Sequence, residues 1–369
     1  MTDRVRVGVV GCGLIAQVMH LHYLNELSDE FELVAVCDIS EEVAAACAKR
    51  FGARSVHTRW QELLEQPLDA VLVLTSGDHA PVAIAAAQAG KHVFVEKPMA
   101  LCSEHGARVL EAAQKAGVRL MVGMMKRYDP AYERLIALLP EWRSELRLVK
   151  ATTLESPLGP YVAHYPLVTA SDIPAGVLEE LRRSDEQAID SVVTDAETRF
   201  CYRWILLDCL VHEFNALRGA LGEVTEVVSA ELSRKCVSIN LRFGETECHL
   251  SWVDLPGIAR YKQEFAFYAP DQRVSLELPS PFLRSAPSRL RVEGGDSGTP
   301  SSWEREEIVS YDEAFKRELV EFADCVRTGR EPRTTGADGI ADLRLCEAVA
   351  RTNEGSDMAL VAGLVMGER

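Results

Sequence analysis

The chain has 369 residues, of which 47% are hydrophobic and 26% are charged, and its formal net charge is −16. This length favours two domains, because a single hydrophobic core rarely grows so large. So acidic a chain would be repelled by phosphate backbones and anionic lipid, which argues against nucleic-acid and membrane partners.

The first third of the chain alternates apolar strands with alanine-rich helices. The predicted strands are residues 4–10, 31–38, 69–75, 92–96 and 119–125. The predicted helices between them are residues 14–27, 41–50, 81–90 and 103–117. This alternation is typical of a doubly wound parallel sheet, so residues 1–124 are predicted to form an α/β Rossmann domain.

The pattern changes to alternating strands in residues 125–353, which predicts a second, α+β domain with a large, mostly antiparallel sheet. Its predicted strands are residues 146–155, 226–233, 237–243, 247–253, 261–269 and 273–278. Residues 280–302 are rich in Pro, Ser and Gly and are predicted to form a loop. Helices at 312–328 and 337–353 precede a tail, residues 354–369.

The ten cysteines form no C-x-x-C pair, and most lie within apolar runs. This distribution predicts reduced thiols in a cytoplasmic protein and no metal site. The amino terminus enters a strand at once, so no signal peptide is expected. The apolar run 358–366 is much shorter than the roughly 20 residues that span a bilayer.

A glycine-rich turn follows the first strand and opens the first helix. Gly11, Gly13 and Ala16 form G-x-G-x-x-A, in which the first glycine permits a tight turn and the second lets a pyrophosphate approach. The small Ala16 allows close packing, and Leu14 and Ile15 lie at the helix N-terminus, which favours phosphate. Because the motif sits in a βαβ unit, it predicts a dinucleotide site, with a purely structural turn as the alternative.

Asp38 ends the second predicted strand, where a carboxylate can accept hydrogen bonds from a ribose 2′-hydroxyl and would repel a 2′-phosphate. The next two residues, Ile39 and Ser40, are not basic. NAD is therefore predicted in preference to NADP.

Two further motifs carry side chains suited to proton transfer. Glu96, Lys97 and Pro98 lie at the carboxyl edge of the predicted sheet, where Lys97 could polarise a substrate hydroxyl. Asp208 and His212 lie four residues apart and share a face of the predicted helix 204–222. Histidine is well suited to move a proton near neutral pH. A surface lysine and a structural Asp–His pair are the alternatives.

Together these motifs resemble the Gfo/Idh/MocA oxidoreductase family over nearly the whole chain. The resemblance is carried by GCGLIA, VFVEKPMA, MVGMMKRYDPAY, the D-x-x-x-H helix and the segment EFADCVRTGREPRTTGADGIADLRLCEAV. It implies that Lys97, Asp208 and His212 form the catalytic group beside the nicotinamide, and that the bond between Lys97 and Pro98 is cis.

The resemblance also implies further site residues. Thr75 and His79, in the loop after the third of these strands, would lie near the cofactor, with an ordinary helix-capping loop as the alternative. Glu96 and Lys97, at the carboxyl edge of the sheet, are also predicted to contact the cofactor. Independently of the resemblance, Arg127 and Tyr128 lie at the predicted domain junction, where a substrate could be held, with a structural salt bridge as the alternative.

One segment departs from the family pattern. The glycine-rich turn that usually precedes the D-x-x-x-H helix is replaced by RFCYRWILLD, which contains Tyr202, Arg203 and Trp204. The long segment 156–204 is therefore predicted to be an insert or lid that bears on substrate, with Arg203 binding an anionic group. Packing between subunits is the alternative.

The predicted function is an NAD-dependent oxidoreductase that acts on a secondary hydroxyl, or the ketone, of a sugar, cyclitol or related polyol. Two alternatives remain open: a redox-neutral enzyme that uses bound NAD transiently for elimination or epimerisation, and a non-catalytic NAD-binding sensor. The resemblance also implies a homodimer or homotetramer.

Overall fold

The computed structural model describes residues 4–141, 143–296, 298 and 301–355. The chain forms two compact units. Unit 1 contains the residues up to Met125 together with Tyr165–Val192 and Phe315–Leu343; unit 2 contains Lys126–His164, Val193–Ala314 and the residues from Arg344 on. The first segment ends next to the predicted boundary, whereas the two later segments of unit 1 were not predicted. The predicted tail lies, beyond residue 355, outside the described residues.

Unit 1 contains a six-stranded sheet whose neighbouring strands all run parallel. Its strands are β1 (Val5–Val10), β2 (Phe31–Cys37), β3 (Ser55–His57), β4 (Ala70–Val73), β5 (His92–Glu96) and β6 (Leu120–Gly123). Their order is β3-β2-β1-β4-β5-β6, so the chain direction across the sheet reverses between β1 and β4. Ligands of such sheets bind beyond the carboxyl ends of the strands at this reversal. The predicted doubly wound sheet is confirmed.

Unit 2 contains an eight-stranded sheet in the order β14-β13-β12-β11-β7-β10-β9-β8. Its strands are β7 (Leu148–Glu155), β8 (Glu226–Leu232), β9 (Cys236–Phe243), β10 (Thr246–Asp254), β11 (Lys262–Tyr268), β12 (Gln272–Leu278), β13 (Arg289–Asp296) and β14 (Ser301–Glu307). Neighbouring strands are antiparallel except β7 and β10, which run parallel. The predicted, mostly antiparallel second sheet is confirmed.

Side chains cap the N-termini of some of the helices. The helices are α1 (Leu21–Glu26), α2 (Glu41–Phe51), α3 (Trp60–Leu64), α4 (Ala80–Gln88), α5 (Ser103–Ala116), α6 (Pro130–Leu138), α7 (Gly159–Val162), α8 (Ala175–Asp190), α9 (Ala196–Cys201), α10 (Val211–Leu221), α11 (Ala314–Thr328) and α12 (Gly336–Asn353). At α2, for example, the Ser40 hydroxyl accepts the Val43 N–H at 3.1 Å, and Gly52 ends the helix with a φ of 79°. No helix in the described part of the chain is long and apolar enough to cross a membrane.

Three local predictions need correction. The predicted loop 280–302 is wrong, because it contains β13 and the start of β14. Gly294 on β13 leaves room for the Trp303 ring, whose nearest atom would lie 2.4 Å from an added Cβ, so this glycine serves packing in a strand. The predicted helices 14–27 and 204–222 exist, but residues 16–20 and 202–210 have the wider π-helical hydrogen bonding.

Candidate active site

The two glycines of the loop in unit 1, Gly11 and Gly13, are required for different reasons. Gly11 has a φ of 96°, and an added Cβ would lie 2.6 Å from the Leu74 carbonyl, so the fold itself requires this glycine. An added Cβ at Gly13 would meet nothing within 4 Å, and its φ is not positive. Gly13 therefore leaves an open approach to the backbone, which fits the pyrophosphate of a dinucleotide. Ala16 is fully buried, as the motif predicts.

The carboxylate of Asp38 is held by two backbone N–H groups, one in the glycine loop and one at the start of α2. It accepts the Cys12 N–H at 2.8 Å and the Ser40 N–H at 3.0 Å. Each bond uses one lone pair of a carboxylate that offers about four. The remaining acceptor positions can bind ribose hydroxyls, so the geometry fits the predicted role of Asp38.

The loop after β4 contains the predicted contacts Thr75 and His79. His79 is buried, and its ring nitrogens lie 2.6 Å from the carbonyl oxygens of Pro98 and Thr75. The imidazole thus links this loop to the E-K-P segment, and both ring nitrogens are occupied within the protein. A cofactor contact through a ring nitrogen of His79 is therefore not supported; Thr75 stays a prediction.

Glu96, at the end of β5, is held between a histidine and the backbone of Lys97. Its Oε1 lies 2.6 Å from Nε2 of His20, and its Oε2 accepts the Lys97 N–H at 2.9 Å. Lys97 is half-buried, and the Lys97–Pro98 bond is cis, as the resemblance implied. Because the carboxylate of Glu96 is used inside the protein, it supports Lys97, and direct cofactor binding by Glu96 stays a prediction.

A second buried carboxylate lies beside this pair. Glu318 of α11 is fully buried. A carboxyl oxygen of Glu318, a carboxylate oxygen of Glu96 and a ring nitrogen of His20 all lie within 4.8 Å of one another. Burial raises the pKa of Glu318 well above its ordinary value, and the nearby charge of Glu96 raises it further. Burial alone would also raise the pKa of Glu96, but the His20 hydrogen bond and the charges of His20 and Lys97 lower it. Sequence reasoning missed Glu318, since nothing local marks it as buried.

Unit 2 carries the other predicted catalytic residues. Asp208 is exposed in the π-helical stretch Tyr202–Leu210, and His212 is half-buried in the first turn of α10. A π-helix has more residues per turn than an α-helix, so residues four apart still project from nearly the same side. Asp208 and His212 lie in one continuous helical segment, and their shared face stays a prediction.

The neighbour of His212, Glu213, lies in a buried polar cluster that sequence reasoning missed. Its Oε1 accepts hydrogen bonds from the Thr153 hydroxyl and the Gln263 amide. The Lys126 ammonium, also buried, lies 3.9 Å from Glu213 Oε2. A buried carboxylate needs such partners, and Thr153 and Gln263 connect α10 to β7 and β11. The sequence offered one signal for this cluster: two charged residues, Glu213 and Lys126, adjoin the motif residues His212 and Arg127.

The predicted substrate residues Arg127 and Tyr128 have structural surroundings. Tyr128 is 1% exposed, so it packs in the core of unit 2. Nη1 of Arg127 lies 3.4 Å from the Asn215 carbonyl oxygen, and an added Cβ at Gly219 would meet its guanidinium at 2.4 Å. Both side chains are thus held within unit 2, and substrate binding by Arg127 and Tyr128 stays a prediction.

Arg203 and its neighbours differ in burial. Tyr202 is fully buried, which removes it as a stacking surface for substrate. The Arg203 guanidinium lies 4.6 Å from the centre of the Trp204 ring, and Trp204 is 52% exposed. Arg203 and Trp204 therefore form a stacked, accessible pair, and substrate binding by Arg203 stays a prediction.

The glycine loop, Asp38 and the E-K-P segment all lie in the part of the chain that a known family matches. The family described as "Oxidoreductase family, NAD-binding Rossmann fold" (Gfo/Idh/MocA) matches residues 5–124. The chain carries the NAD-binding domain of the Gfo/Idh/MocA oxidoreductases. The resemblance predicted from the motifs is confirmed.

Relatives extend this similarity beyond the Gfo/Idh/MocA domain. Inositol 2-dehydrogenase 3 of Saccharopolyspora erythraea is 29% identical, with 97% of this chain and 96% of the relative covered. Myo-inositol 2-dehydrogenase of Thermotoga maritima is 27% identical, with 95% and 96% covered. Among solved structures, the 3-ketoreductase KijD10 of Actinomadura kijaniata in complex with NADP superposes with a TM-score of 0.73 at 21% identity, covering 95% of this chain and 98% of that one. At this identity the structural likeness shows the shared fold.

Proposed function

We propose that this protein is an NAD-dependent oxidoreductase that oxidises a secondary hydroxyl, or reduces the ketone, of a cyclitol, sugar or related polyol. The observation that carries the proposal is the combination of Lys97 after β5 with a glycine loop that is open only at Gly13. The names of the two inositol dehydrogenases, which align over nearly the whole chain, support a cyclitol as the first substrate class to test.

Each proposed residue has a defined task. The open backbone at Gly13 and the N-terminus of the following helix would bind the pyrophosphate, and Asp38 would bind the adenine ribose. NAD, when bound, supplies the hydride acceptor. Lys97 would donate a hydrogen bond to the substrate oxygen, and His212 would take its proton as general base. Asp208 would assist His212 electrostatically.

The test is a screen of inositols, aldoses and their ketones for NAD reduction or NADH oxidation, with Lys97→Ala as the inactive control. Equal amounts of NADH and ketone would support the proposal. Product formed without net NADH would indicate the redox-neutral alternative. Nucleotide binding without turnover of any compound, together with identical behaviour of Lys97→Ala, would indicate a sensor.

We also propose that the protein is a cytoplasmic homodimer or homotetramer that pairs through the open face of the unit 2 sheet. Strands β9, β10 and β12 alternate buried residues with more exposed ones, which supports one available face on that sheet. The ten cysteines carry free thiols, which suits a reducing compartment. Light scattering of the purified protein tests the assembly; a monomer at micromolar concentration would contradict it.

A further inference from the structure

Part of the unusual segment 156–204 lies against the cofactor-binding loops of unit 1. Gln17, in the helix that follows the glycine loop, accepts the Val168 N–H and donates to the Val168 carbonyl, both at 2.9 Å. Asp185 on α8 accepts the Asp78 N–H at 3.1 Å in the loop after β4. The sequence-based expectation that the whole segment bears on substrate therefore does not fit residues 165–192.

Between these two attachments, Asp172 binds the N-terminus of α2. Its carboxylate accepts hydrogen bonds from the Ser40 hydroxyl and from the Glu42 N–H, the latter at 3.1 Å. The Ser40 hydroxyl, then the Glu42 amide, lower the pKa of Asp172, so this side chain is ionised at neutral pH. An anion from the insert thus occupies a helix N-terminus, the kind of place where phosphate groups bind.

Ser40 connects this anion to the ribose-binding carboxylate. Its backbone N–H donates to Asp38, and its hydroxyl donates to Asp172. A 2′-phosphate on a ribose bound at Asp38 would need hydrogen-bond donors near α2. The Ser40 hydroxyl and the Glu42 N–H are such donors, but both already donate to Asp172. One carboxylate would repel the phosphate from the ribose side and the other from the helix side.

We propose that Asp172 is a second determinant of cofactor specificity, which excludes the 2′-phosphate of NADP by occupying the anion-binding N-terminus of α2. The inference rests on the proposed function in so far as the ribose of NAD binds at Asp38. It adds a residue from outside the Rossmann motif, supplied by the insert.

The test measures the dissociation constants of NAD and NADP by titration calorimetry for the wild type, Asp172→Asn and Glu179→Gln. Glu179 is an exposed carboxylate on the same segment, and it pairs with Arg182 within α8, so its variant removes an equal charge from a different helix. Asp172→Asn should tighten NADP by about tenfold and change NAD by less than about threefold, because one like charge near the phosphate is removed. Glu179→Gln should change neither. Raising the salt concentration should reduce the wild-type preference for NAD, since exposed charges are screened.

The outcomes separate this inference from the proposed function. If the wild type binds neither nucleotide, the proposed function fails. If the wild type binds NAD but Asp172→Asn leaves the NADP-to-NAD ratio unchanged, or changes it no more than Glu179→Gln does, the role of Asp172 is wrong while the function stands. Asp172→Asn should also tighten adenosine 2′,5′-bisphosphate while leaving the affinity for AMP nearly unchanged. This result would locate the effect at the adenine ribose.

Discussion

Replacing Glu318 with glutamine should make the protein more stable at neutral pH, because it removes a buried ionisable group. Neither carboxyl oxygen of Glu318 has a hydrogen-bond partner among the described residues, and Glu96 lies beside it. Since burial first and the charge of Glu96 second raise the pKa of Glu318, the native protein keeps a proton there. The unfolded chain releases that proton above the ordinary value near 4.5. The stability contributed by Glu318 is thus complete below that pH and is lost as the pH rises.

The size of the effect follows from proton linkage. Each pH unit over which the native state holds a proton that the unfolded state has released costs about 1.4 kcal/mol. As the pH rises from 5.5 to 7.5, the free energy of unfolding of Glu318→Gln should increase by about 3 kcal/mol relative to that of the wild type, because glutamine cannot ionise in either state.

Urea unfolding curves at several pH values measure this difference, with the exposed Glu104→Gln as the matched control. The control should follow the wild type throughout. The infrared band of a protonated carboxyl group should be weaker in Glu318→Gln at pH 7. Wild-type and Glu318→Gln stabilities that remain parallel across this pH range would refute the reasoning, because Glu318 would then be ionised in the native protein.

The remaining predictions concern ligands. Lys97→Ala should bind NAD within a few fold of the wild type while turnover falls roughly 10²–10⁴-fold, as single-turnover rates and calorimetry would show. His212→Ala should lose a similar factor and recover partly at high pH, and a flat pH profile would argue against a general base. Asp38→Ser with Ile39→Arg should weaken NAD and tighten NADP in calorimetry; a wild type that already prefers NADP would contradict the ribose argument. Arg203→Ala should raise the Michaelis constant of an anionic substrate without changing NAD affinity, whereas dissociation on a sizing column with unchanged kinetics would identify a subunit contact.

The elements with strong periodicity could be predicted from the sequence. The strands of the first sheet are continuous apolar runs because both faces are buried, and only the three-residue β3 escaped notice. β13 and β14 were missed because Gly294 and a row of exposed polar residues resemble a loop, while their pairing depends on distant partners. The parallel contact of β7 with β10 has no local signal either.

The candidate site divides in the same way. Gly13, Asp38 and Lys97 follow strands directly, so the edge of the sheet determines their place and a short motif reveals them. Glu318 and Glu213 acquire their environments from residues far away in the chain, such as Glu96 for the first and Gln263 for the second. Burial of a carboxyl group is a property of the folded chain, and helix periodicity around Glu318 gives no measure of which groups will face it.

The segment 156–204 is proposed to affect two ligands, the cofactor through Asp172 and the substrate through Arg203. Residues 165–192 belong to unit 1, where Asp172 binds α2, while Arg203 belongs to unit 2 and stacks on Trp204. Asp172 is bonded to Ser40 and Glu42, whereas Arg203 stacks on Trp204, so we expect the effects of their substitution to be independent. A variant with both Asp172→Asn and Arg203→Ala should therefore combine the NADP affinity of the first with the Michaelis constant of the second. An effect of Arg203→Ala on the NADP-to-NAD ratio would show that the segment acts as one element, and separate roles for its two parts would then be wrong.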